Sequence, residues 1–391
     1  MSFLRDLGRD LATCRRPALA FMAIGVFWAA VAAQVPVLKA GIGASDAIYG
    51  MVFLVSSFGS VTAMWIAPRV DRRLGRNALA VSAAMMALAF LLPGLAGGLV
   101  AFTAAMFLAA MGSGLSDVLM NARVSELEAR TGRPLMNLNH AVFSFSYALA
   151  AILTGLAREA GWSPALVFSV LTGLILLAVP FMREPRGAVP VPDDIAEAPR
   201  GAANAPIVWL GGLVVMIGFL SEAGVEGWSA LYLERELGGD PAEGALGPAV
   251  LGLTMGVGRL FGQALAVRYP EWLMIAVACL VSAAGLVLAA GAGQLGLAYL
   301  GFAAMGLGVS IVAPMALAVV GRSVPQAVRV AAIGRAALIG FMAFSLGPSV
   351  MGLTSEAFGL RWSFLGIAVL LVLTALVLAP RLGRQAAAPA N

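Results

Sequence analysis

Residues 155–163 read GLAREAGWS, and residues 352–363 read GLTSEAFGLRWS, so one short motif occurs twice, about 200 residues apart. In each copy a glycine and a Trp-Ser pair follow an apolar stretch that is long enough to be a membrane helix. Self-similarity at one spacing is the mark of a duplicated architecture. The chain is therefore predicted to consist of two halves with the same fold.

Two further repeats support this duplication. The segment GSGLS at 112–116 returns as GLGVS at 306–310, and the stretch 59–69, which begins with glycine and ends with arginine, is matched by 258–268. Two parallel helical bundles can hold one site on the axis between them and rock around it, as many secondary transporters do. The duplication thus favours a transport function.

The composition excludes an ordinary soluble domain, because 61% of the residues are hydrophobic and only 12% are charged. A helix needs about 20 apolar residues to cross a bilayer. The fold class predicted is an all-α membrane protein with twelve spans in two six-helix bundles related by a parallel pseudo-two-fold repeat. The spans lie near 17–39, 47–68, 77–95, 98–124, 136–157, 163–182, 206–230, 246–267, 271–291, 295–320, 330–353 and 362–380.

The basic isoelectric point of 9.8 comes from an uneven distribution of charge between the loops. If both termini are cytoplasmic, 19 of the 25 Lys and Arg residues lie in cytoplasmic segments, four lie in external loops and two lie inside spans. This asymmetry follows the positive-inside rule. It predicts a protein of the lipid bilayer with cytoplasmic N- and C-termini. Because this topology accounts for the excess basic charge, no nucleic-acid partner is expected.

A single break in composition divides the chain. Residues 183–205 are rich in Pro, Ala and acidic residues, and they are predicted to be a cytoplasmic linker between an N-terminal bundle at 1–182 and a C-terminal bundle at 206–391. The other loops are too short for a catalytic domain. The glycines at 291–296 match a dinucleotide fingerprint, but they join two spans and follow no strand. Neither an enzyme nor a cofactor or metal is expected.

Asp117 and Asn121 lie four residues apart and hence on one face of the fourth span. Asp117 is about nine residues, or roughly 13 Å, from the cytoplasmic charges. A low-dielectric setting favours the protonated form of a carboxyl group, which suits a group that takes up and releases protons. The alternative is a structural ion pair with Arg123 or with an arginine of the other half.

His140, the one histidine in the chain, lies one turn inside the fifth span. A lone histidine at that depth is commonly a hydrogen-bonded structural residue. However, the repeat places it nearly opposite Arg335 of the eleventh span, so the two side chains are also candidates for contact with a solute across the axis.

The seventh and eighth spans carry the charges of the second half. Glu222 and Glu226 share one helix face, and repulsion between them predicts that one is protonated or paired with a cation. Glu222 is the deeper and the better candidate for proton coupling, whereas Glu226 either binds solute or meets water at the interface. Arg259 is a counter-ion for one of these acids or for an anionic solute, and Trp228 supplies an aromatic face.

The turn between the second and third spans contains Asp71, Arg72 and Arg76. It is either a positive-inside cluster or a gate, in which Asp71 pairs with a neighbouring helix end in one conformation and releases it in the other.

Six plus six spans, parallel halves, a central linker and this Asp-Arg…Gly-Arg turn together resemble the major facilitator superfamily. The turn departs from the family pattern, with one extra residue between Asp71 and Gly75 and with Ala67-Pro68 where a glycine is expected. Major facilitator proteins are secondary transporters, so the resemblance implies that the chain transports a small solute by alternating access. It also implies a multi-pass protein of the bacterial cytoplasmic membrane, and a monomer is expected.

Within the superfamily, the fourth and fifth spans resemble the fucose permease branch and its uncharacterised bacterial relatives. The matching segments are 117–121, reading DVLMN, and 137–144, reading NLNHAVFS, which adds Asn137 to the candidate residues. Further matches are Glu222…Trp228-Ser229 and the GRLFG segment at 258–262. This branch implies proton-coupled uptake of a sugar-like solute through Asp117. Its second acid, in the first span, is missing here, where Gln34 and Trp28 are the available polar and aromatic residues.

The leading hypothesis is a proton-linked symporter for a sugar, polyol or related metabolite. Asp117 and Glu222 are predicted to couple protons, and the solute is predicted to bind Trp28, Gln34, Asn121, Asn137, His140, Glu226, Trp228, Arg259 and Arg335. The nearest alternative is a proton-driven drug or metabolite exporter. Such exporters usually carry a Gly-Pro motif in the fifth span, whereas this chain has Gly347-Pro348 in the eleventh. A non-transporting receptor is disfavoured because no sizeable extramembrane domain is predicted.

Overall fold

The computed structural model describes residues 2–184, 205–266 and 269–387, and within these ranges the chain forms helices joined by turns. The helices of the first half are α1 (Ser2–Gly41), α2 (Asp46–Leu74), α3 (Ala78–Leu95), α4 (Leu99–Thr131), α5 (Met136–Glu159) and α6 (Pro164–Ala178). Those of the second half are α7 (Pro206–Leu237), α8 (Pro241–Ala266), α9 (Glu271–Ala290), α10 (Leu295–Val309), α11 (Val312–Arg322), α12 (Arg329–Phe358), α13 (Leu360–Leu373) and α14 (Ala379–Ala387). The all-helical prediction is confirmed. Most of the predicted linker, residues 185–204, lies outside the described residues.

In the described ranges, ten helical segments are long and apolar enough to cross a membrane. One of them, Asp46–Leu95, contains both α2 and α3, which are separated by a short turn at Gly75–Asn77. Counting these two helices separately and adding α8 accounts for the twelve predicted spans. The predicted break between the third and fourth spans is also found, since α3 ends at Leu95 and α4 begins at Leu99.

Several helices differ in length from the predicted spans. The helices α4 and α7 run on to Thr131 and Leu237, beyond the apolar stretches, because charged residues still form good helix outside the hydrocarbon. The predicted tenth span is two helices, α10 and α11, with a turn at Ser310. Pro314 lies in the first turn of α11, where a missing N–H costs no helical hydrogen bond, so the sequence favours a new helix start there.

The repeated motif has a structural reason in both halves. Gly161 and Gly359 end the two corresponding helices, α5 and α12, with φ angles of 80° and 90°. Such angles are unfavourable for residues with a Cβ atom. In the first copy the hydroxyl of Ser163 then caps α6 by accepting a hydrogen bond from the Leu166 amide.

Packing within and between the halves follows the repeat. In the first half, α2 and α3 pack on α4, and α1 packs on α5. In the second half, α7 packs on α12, and α9 packs on α10. The halves meet mainly where α5 packs on α8 and where α2 packs on α12. The repeat relates α5 to α12 and α2 to α8, so it exchanges these two interfaces, as a pseudo-two-fold axis requires.

The outer surface of the bundle is apolar. Leu174, Leu177 and Phe181 on α6 and in the turn that follows it are exposed, as are Phe58 of α2 and Trp209 of α7. Contiguous exposed apolar side chains of this size are unfavourable in water and favourable against lipid. The helix faces that do not pack on other helices are therefore suited to the bilayer.

The interface of α2 with α12 is close enough to depend on glycine. A Cβ atom at Gly352 would collide with the main-chain oxygen of Asp46, so Gly352→Ala should destabilise this contact by about 1–3 kcal/mol. We expect the population in which the two helices separate to rise by about 5- to 100-fold. The measurement is maleimide labelling of Ser349→Cys, a buried position on α12, in purified protein that lacks Cys14 and Cys279.

The matched control for this prediction is Gly366→Ala, because a Cβ atom at Gly366 meets no other atom within 4 Å. Labelling should not change in that variant. Equal labelling rates for Gly352→Ala and the unsubstituted chain would show that the close contact does not hold the two helices together.

Candidate functional site

A cavity of about 350 Å³ lies between the two halves. Helices α1, α2, α4 and α5 of the first half and α7 and α12 of the second half line it. Most of its wall is aliphatic or aromatic, with rings from Trp28, Phe53, Phe341 and Phe344. Binding sites for small molecules in proteins have this size and a largely apolar lining with a few polar groups.

Three carboxyl side chains line this cavity: Asp117 from α4, and Glu222 and Glu226 from α7. The first half thus contributes one acid and the second half two. Asn121 does not line the cavity, but its amide nitrogen donates to Asp117 Oδ1 at 3.1 Å and to the Asp117 main-chain oxygen at 2.9 Å. The expected shared helix face therefore exists, and the contact of Asn121 is with Asp117.

Arg259 joins the two halves behind the cavity wall. Its Nη2 atom lies 3.2 Å from Glu222 Oε1, and its Nη1 atom donates to the Ser144 hydroxyl on α5 at 2.6 Å. Arg259 is not among the cavity-lining residues, so its guanidinium neutralises an acid of its own half and ties α8 to α5. Glu226, one turn from Glu222, makes no ion pair or hydrogen bond with any residue that the structure describes.

The two predicted tryptophans have different surroundings. Trp28 lines the cavity, and its indole N–H donates to the Ser113 hydroxyl at 2.9 Å. Trp228 is 1% exposed and packs edge-on against Tyr49 at 6.1 Å between ring centroids. The enclosed indole does not line the cavity in this conformation, and its role as an aromatic face for solute stays a prediction.

Four other predicted solute ligands also lie away from the cavity wall. Gln34 is fully buried, and its amide donates to the Ala30 main-chain oxygen at 3.1 Å. His140 is half-buried and packs edge-on against Phe21 at 5.0 Å, which agrees with the structural alternative. Asn137 and Arg335, near the starts of α5 and α12, are half-buried and likewise do not line the cavity.

The structure adds lining residues that sequence inspection missed. Ser56, Ser57 and Ser60 of α2 and Tyr147 of α5 line the cavity. The four-residue spacing of Ser56 and Ser60 puts them on one face, which is a pattern that sequence inspection can find. Tyr147 lies among apolar residues in the sequence, where no spacing pattern marks it. Its ring packs on α8, where a Cβ atom at Gly252 would meet the ring at 2.8 Å.

The predicted gate residue Asp71 takes part in a buried ion-pair network. Arg123 of α4 lies between two acids, with Nη2 at 2.5 Å from Asp71 Oδ1 and Nε at 2.6 Å from Glu184 Oε2. The Glu184 amide donates to the Arg76 main-chain oxygen at 2.9 Å, while the side chains of Arg72 and Arg76 are exposed. Burial raises the pKa of the Glu184 carboxyl in spite of the adjacent guanidinium. This network links α2, α4 and the segment after α6, all in the first half.

The opposite end of the bundle carries a cluster that joins the halves, formed by Lys39, Asp46, Arg235 and Ser355 and called here the Asp46 cluster. Asp46 Oδ1 lies 3.0 Å from Lys39 Nζ, and Asp46 Oδ2 lies 2.9 Å from Arg235 Nη1 and accepts from the Ser355 hydroxyl at 2.5 Å. Asp46 and Lys39 belong to the first half, and Arg235 and Ser355 belong to the second.

Two further contacts hold the halves together at this end. Arg158 makes a two-pronged ion pair with Glu234 at 2.6 and 3.0 Å, a geometry that is strong for guanidinium and carboxylate. Glu356 of α12 accepts a hydrogen bond from the Ala47 amide at 2.8 Å and so caps the start of α2. The two halves are therefore joined at the end with the Asp46 cluster.

The other end, which carries Asp71 and is called here the Asp71 end, has a different pattern. The network around Arg123 lies in the first half, and the ion pair of Arg322 with Glu271 lies in the second. In the described chain, α4 and α5 make no extensive contact with α10 or α11. The halves are thus joined by ion pairs at the end with the Asp46 cluster and are less closely packed at the Asp71 end.

Comparisons with known proteins agree with this architecture. A family model described as Major Facilitator Superfamily matches residues 18–327 and 213–391. An uncharacterised MFS-type transporter of Yersinia pestis is 28% identical over 362 residues, covering 91% of this chain and 92% of the relative. An uncharacterised transporter of Sinorhizobium fredii is 28% identical over 384 residues, covering 95% and 98%.

Among solved structures, an inward-facing, unoccupied bacterial homologue of the human lysosomal transporter Spinster superposes with a TM-score of 0.77. It covers 97% of this chain and 99% of its own, at 16% identity, so the likeness is one of fold. The predicted fold class is confirmed by these matches. The narrower resemblance to the fucose permease branch stays a prediction.

Proposed function

The chain belongs to the Major Facilitator Superfamily, whose members are transporters and not enzymes, and from this premise we propose that it carries a small polar solute in symport with protons. The solute class is a sugar, a polyol or a related metabolite. The observation that carries the proposal is the set of three carboxyl groups that the two halves present to one cavity.

The acids give the cavity a means of coupling. Protonation of Glu222 removes the charge that holds Arg259 at 3.2 Å, and Arg259 is also bound to Ser144 of the other half. A change in the protonation of this glutamate therefore alters a contact between the halves. Asp117, held by Asn121, is the proton-binding group of the first half. Ionisable groups inside a membrane protein commonly form such proton relays.

Alternating access requires that the two ends open in turn. The Asp46 cluster and the Arg158–Glu234 pair hold one end closed, and their rupture would open it. We assign the Asp71 end to the cytoplasm, because it carries most of the arginines and the positive-inside rule places these inside. The described conformation is then closed to the exterior. The bacterial relatives support a cytoplasmic membrane location. The distribution of basic residues favours cytoplasmic termini.

A proton-driven exporter is the second candidate. Exporters usually carry a Gly-Pro pair in the fifth span, and Pro348 of the pair in the eleventh span, its repeat equivalent, lines the cavity on α12. An exporter would release protons from the same carboxyl groups as solute binds, whereas a symporter binds both together.

The sign of the proton movement tests the coupling. In proteoliposomes with a weakly buffered medium, adding external solute should make that medium more alkaline, because a symporter takes protons in with the solute. The solute is the member of a panel of sugars, polyols and amines that raises the melting temperature of the purified protein most. A pH electrode measures the change, and protein-free vesicles are the control. Acidification would instead indicate antiport, and solute uptake without any pH change would refute proton coupling.

A further inference from the structure

We propose that the transported solute is a small organic cation, whose protonated amine binds Glu226 in the central cavity. The proposal rests on the proposed function, since it takes the central cavity as the solute site. It keeps the cavity and the proton coupling of that proposal and specifies that the solute carries a protonated amine.

The charge around the cavity is unbalanced. Three carboxyl groups line it, while the neighbouring guanidinium of Arg259 is shared between Glu222 and Ser144. Asp117 has a neutral amide partner, and Glu226 has no hydrogen-bonded or ion-paired partner in the described chain. Uncompensated charge in an apolar cavity is costly and is relieved by a proton or a bound cation. An anionic solute would increase the cost.

Hydrogen-bonding groups of the wall point to the same class of ligand. Ser56, Ser57 and Ser60 each donate their hydroxyl proton to a main-chain oxygen, at 2.7, 2.7 and 3.1 Å, so lone pairs remain for the cavity. The Trp28 N–H is used by Ser113. These three serine hydroxyls are consequently available as acceptors on the wall. An ammonium group supplies donors and no acceptor, which complements such a wall.

Glu222 and Glu226 of α7 line the cavity, whereas no Lys or Arg of the described chain does. Tyr147 also lines it, but its side chain is 1% exposed, so its hydroxyl is buried in the wall. The acids are therefore the charged groups that a solute in the cavity can contact.

The remaining wall suits the body of an organic cation. Trp28, Phe341 and Phe344 present aromatic rings, which attract cations and bury apolar carbon. Because Asp117 and Glu226 belong to different halves, one acid can hold the ammonium group while another holds the proton. A cationic solute is thus compatible with symport, and it also bridges the halves as alternating access requires.

A cysteine reporter tests the charge preference without knowledge of the natural solute. Ser57→Cys, made in protein without Cys14 and Cys279, is reacted with methanethiosulfonate ethyltrimethylammonium and with methanethiosulfonate ethylsulfonate. We expect the cationic reagent to react about tenfold faster, after both rates are divided by those for mercaptoethanol. The preference should fall in Glu226→Gln and in Asp117→Asn. It should persist in Glu159→Gln, which removes an exposed acid far from the cavity wall.

Binding is tested with three probes of one shape, namely cyclohexylamine, cyclohexanol and cyclohexanecarboxylate. The amine should raise the melting temperature of the purified protein most, and Glu226→Gln should reduce that shift. Equal or faster reaction of the anionic reagent, or greater stabilisation by the alcohol or the acid, would overturn the proposal. Either result would leave the proton-movement assay unaffected, whereas a failure of that assay would leave the cation preference standing.

Discussion

Replacing Asp117 with asparagine should reduce proton-driven solute accumulation to the level of protein-free vesicles, while exchange of solute for solute across the membrane continues. The carboxyl group lies on the cavity wall and is held by the Asn121 amide at 3.1 Å. Asparagine preserves the size and hydrogen-bonding capacity of the side chain but does not carry a proton. The substitution therefore removes coupling without removing the site.

The measurement compares accumulation under an inward proton gradient with counterflow of labelled solute in the same proteoliposomes. Glu159→Gln, at the exposed end of α5, is the matched control and should leave both activities unchanged. Loss of counterflow in Asp117→Asn would assign Asp117 to solute binding alone. Loss of folded protein from the membrane would assign it to structure.

Arg123→Ala should cause the largest loss of stability among single substitutions of charged residues in the described chain. Its side chain is 4% exposed and lies within 2.6 Å of both Asp71 and Glu184, which are themselves buried. Removing the guanidinium leaves two buried acids close together without the positive charge that lies between them. Breaking a buried ion pair in this way costs about 3–5 kcal/mol.

Thermal unfolding of the purified protein measures this effect. Arg322→Ala is the control, because its ion pair with Glu271 is 58% and 31% exposed and exposed pairs contribute at most about 1 kcal/mol. The triple variant Arg123→Met, Asp71→Asn, Glu184→Gln should recover most of the lost stability, since it removes all three charges. If the triple variant melts as low as Arg123→Ala, the loss comes from packing of the arginine stem and not from uncompensated charge.

The two halves, the helices and the position of the acids along them follow from short-range information. Apolar length predicts a span, and a repeat predicts that the second half copies the first. A separation of four residues predicts a shared face, as Asp117 with Asn121 and Glu222 with Glu226 confirm. These properties depend on residues close together in the chain, so they can be predicted from the sequence without knowledge of how the helices pack.

Trp228 shows where such inference ends. It shares the seventh span with two cavity-lining glutamates, yet it is rotated away from them and packs on Tyr49 of the other half. A difference of two residues from Glu226 is about 200° around a helix, so it moves a side chain from a cavity to an interface. The rotation of each helix about its axis depends on all of its neighbours at once.

The pairings between distant segments arise for the same reason. Arg158 with Glu234, Asp46 with Arg235 and Arg123 with Glu184 join residues 76, 189 and 61 positions apart. Composition and spacing determine that this chain is a duplicated membrane bundle with acids and arginines inside it. The packed fold decides which acid meets an arginine and which faces the cavity, because the energy of a buried charge depends on the groups within a few ångströms of it and not on its position along the chain.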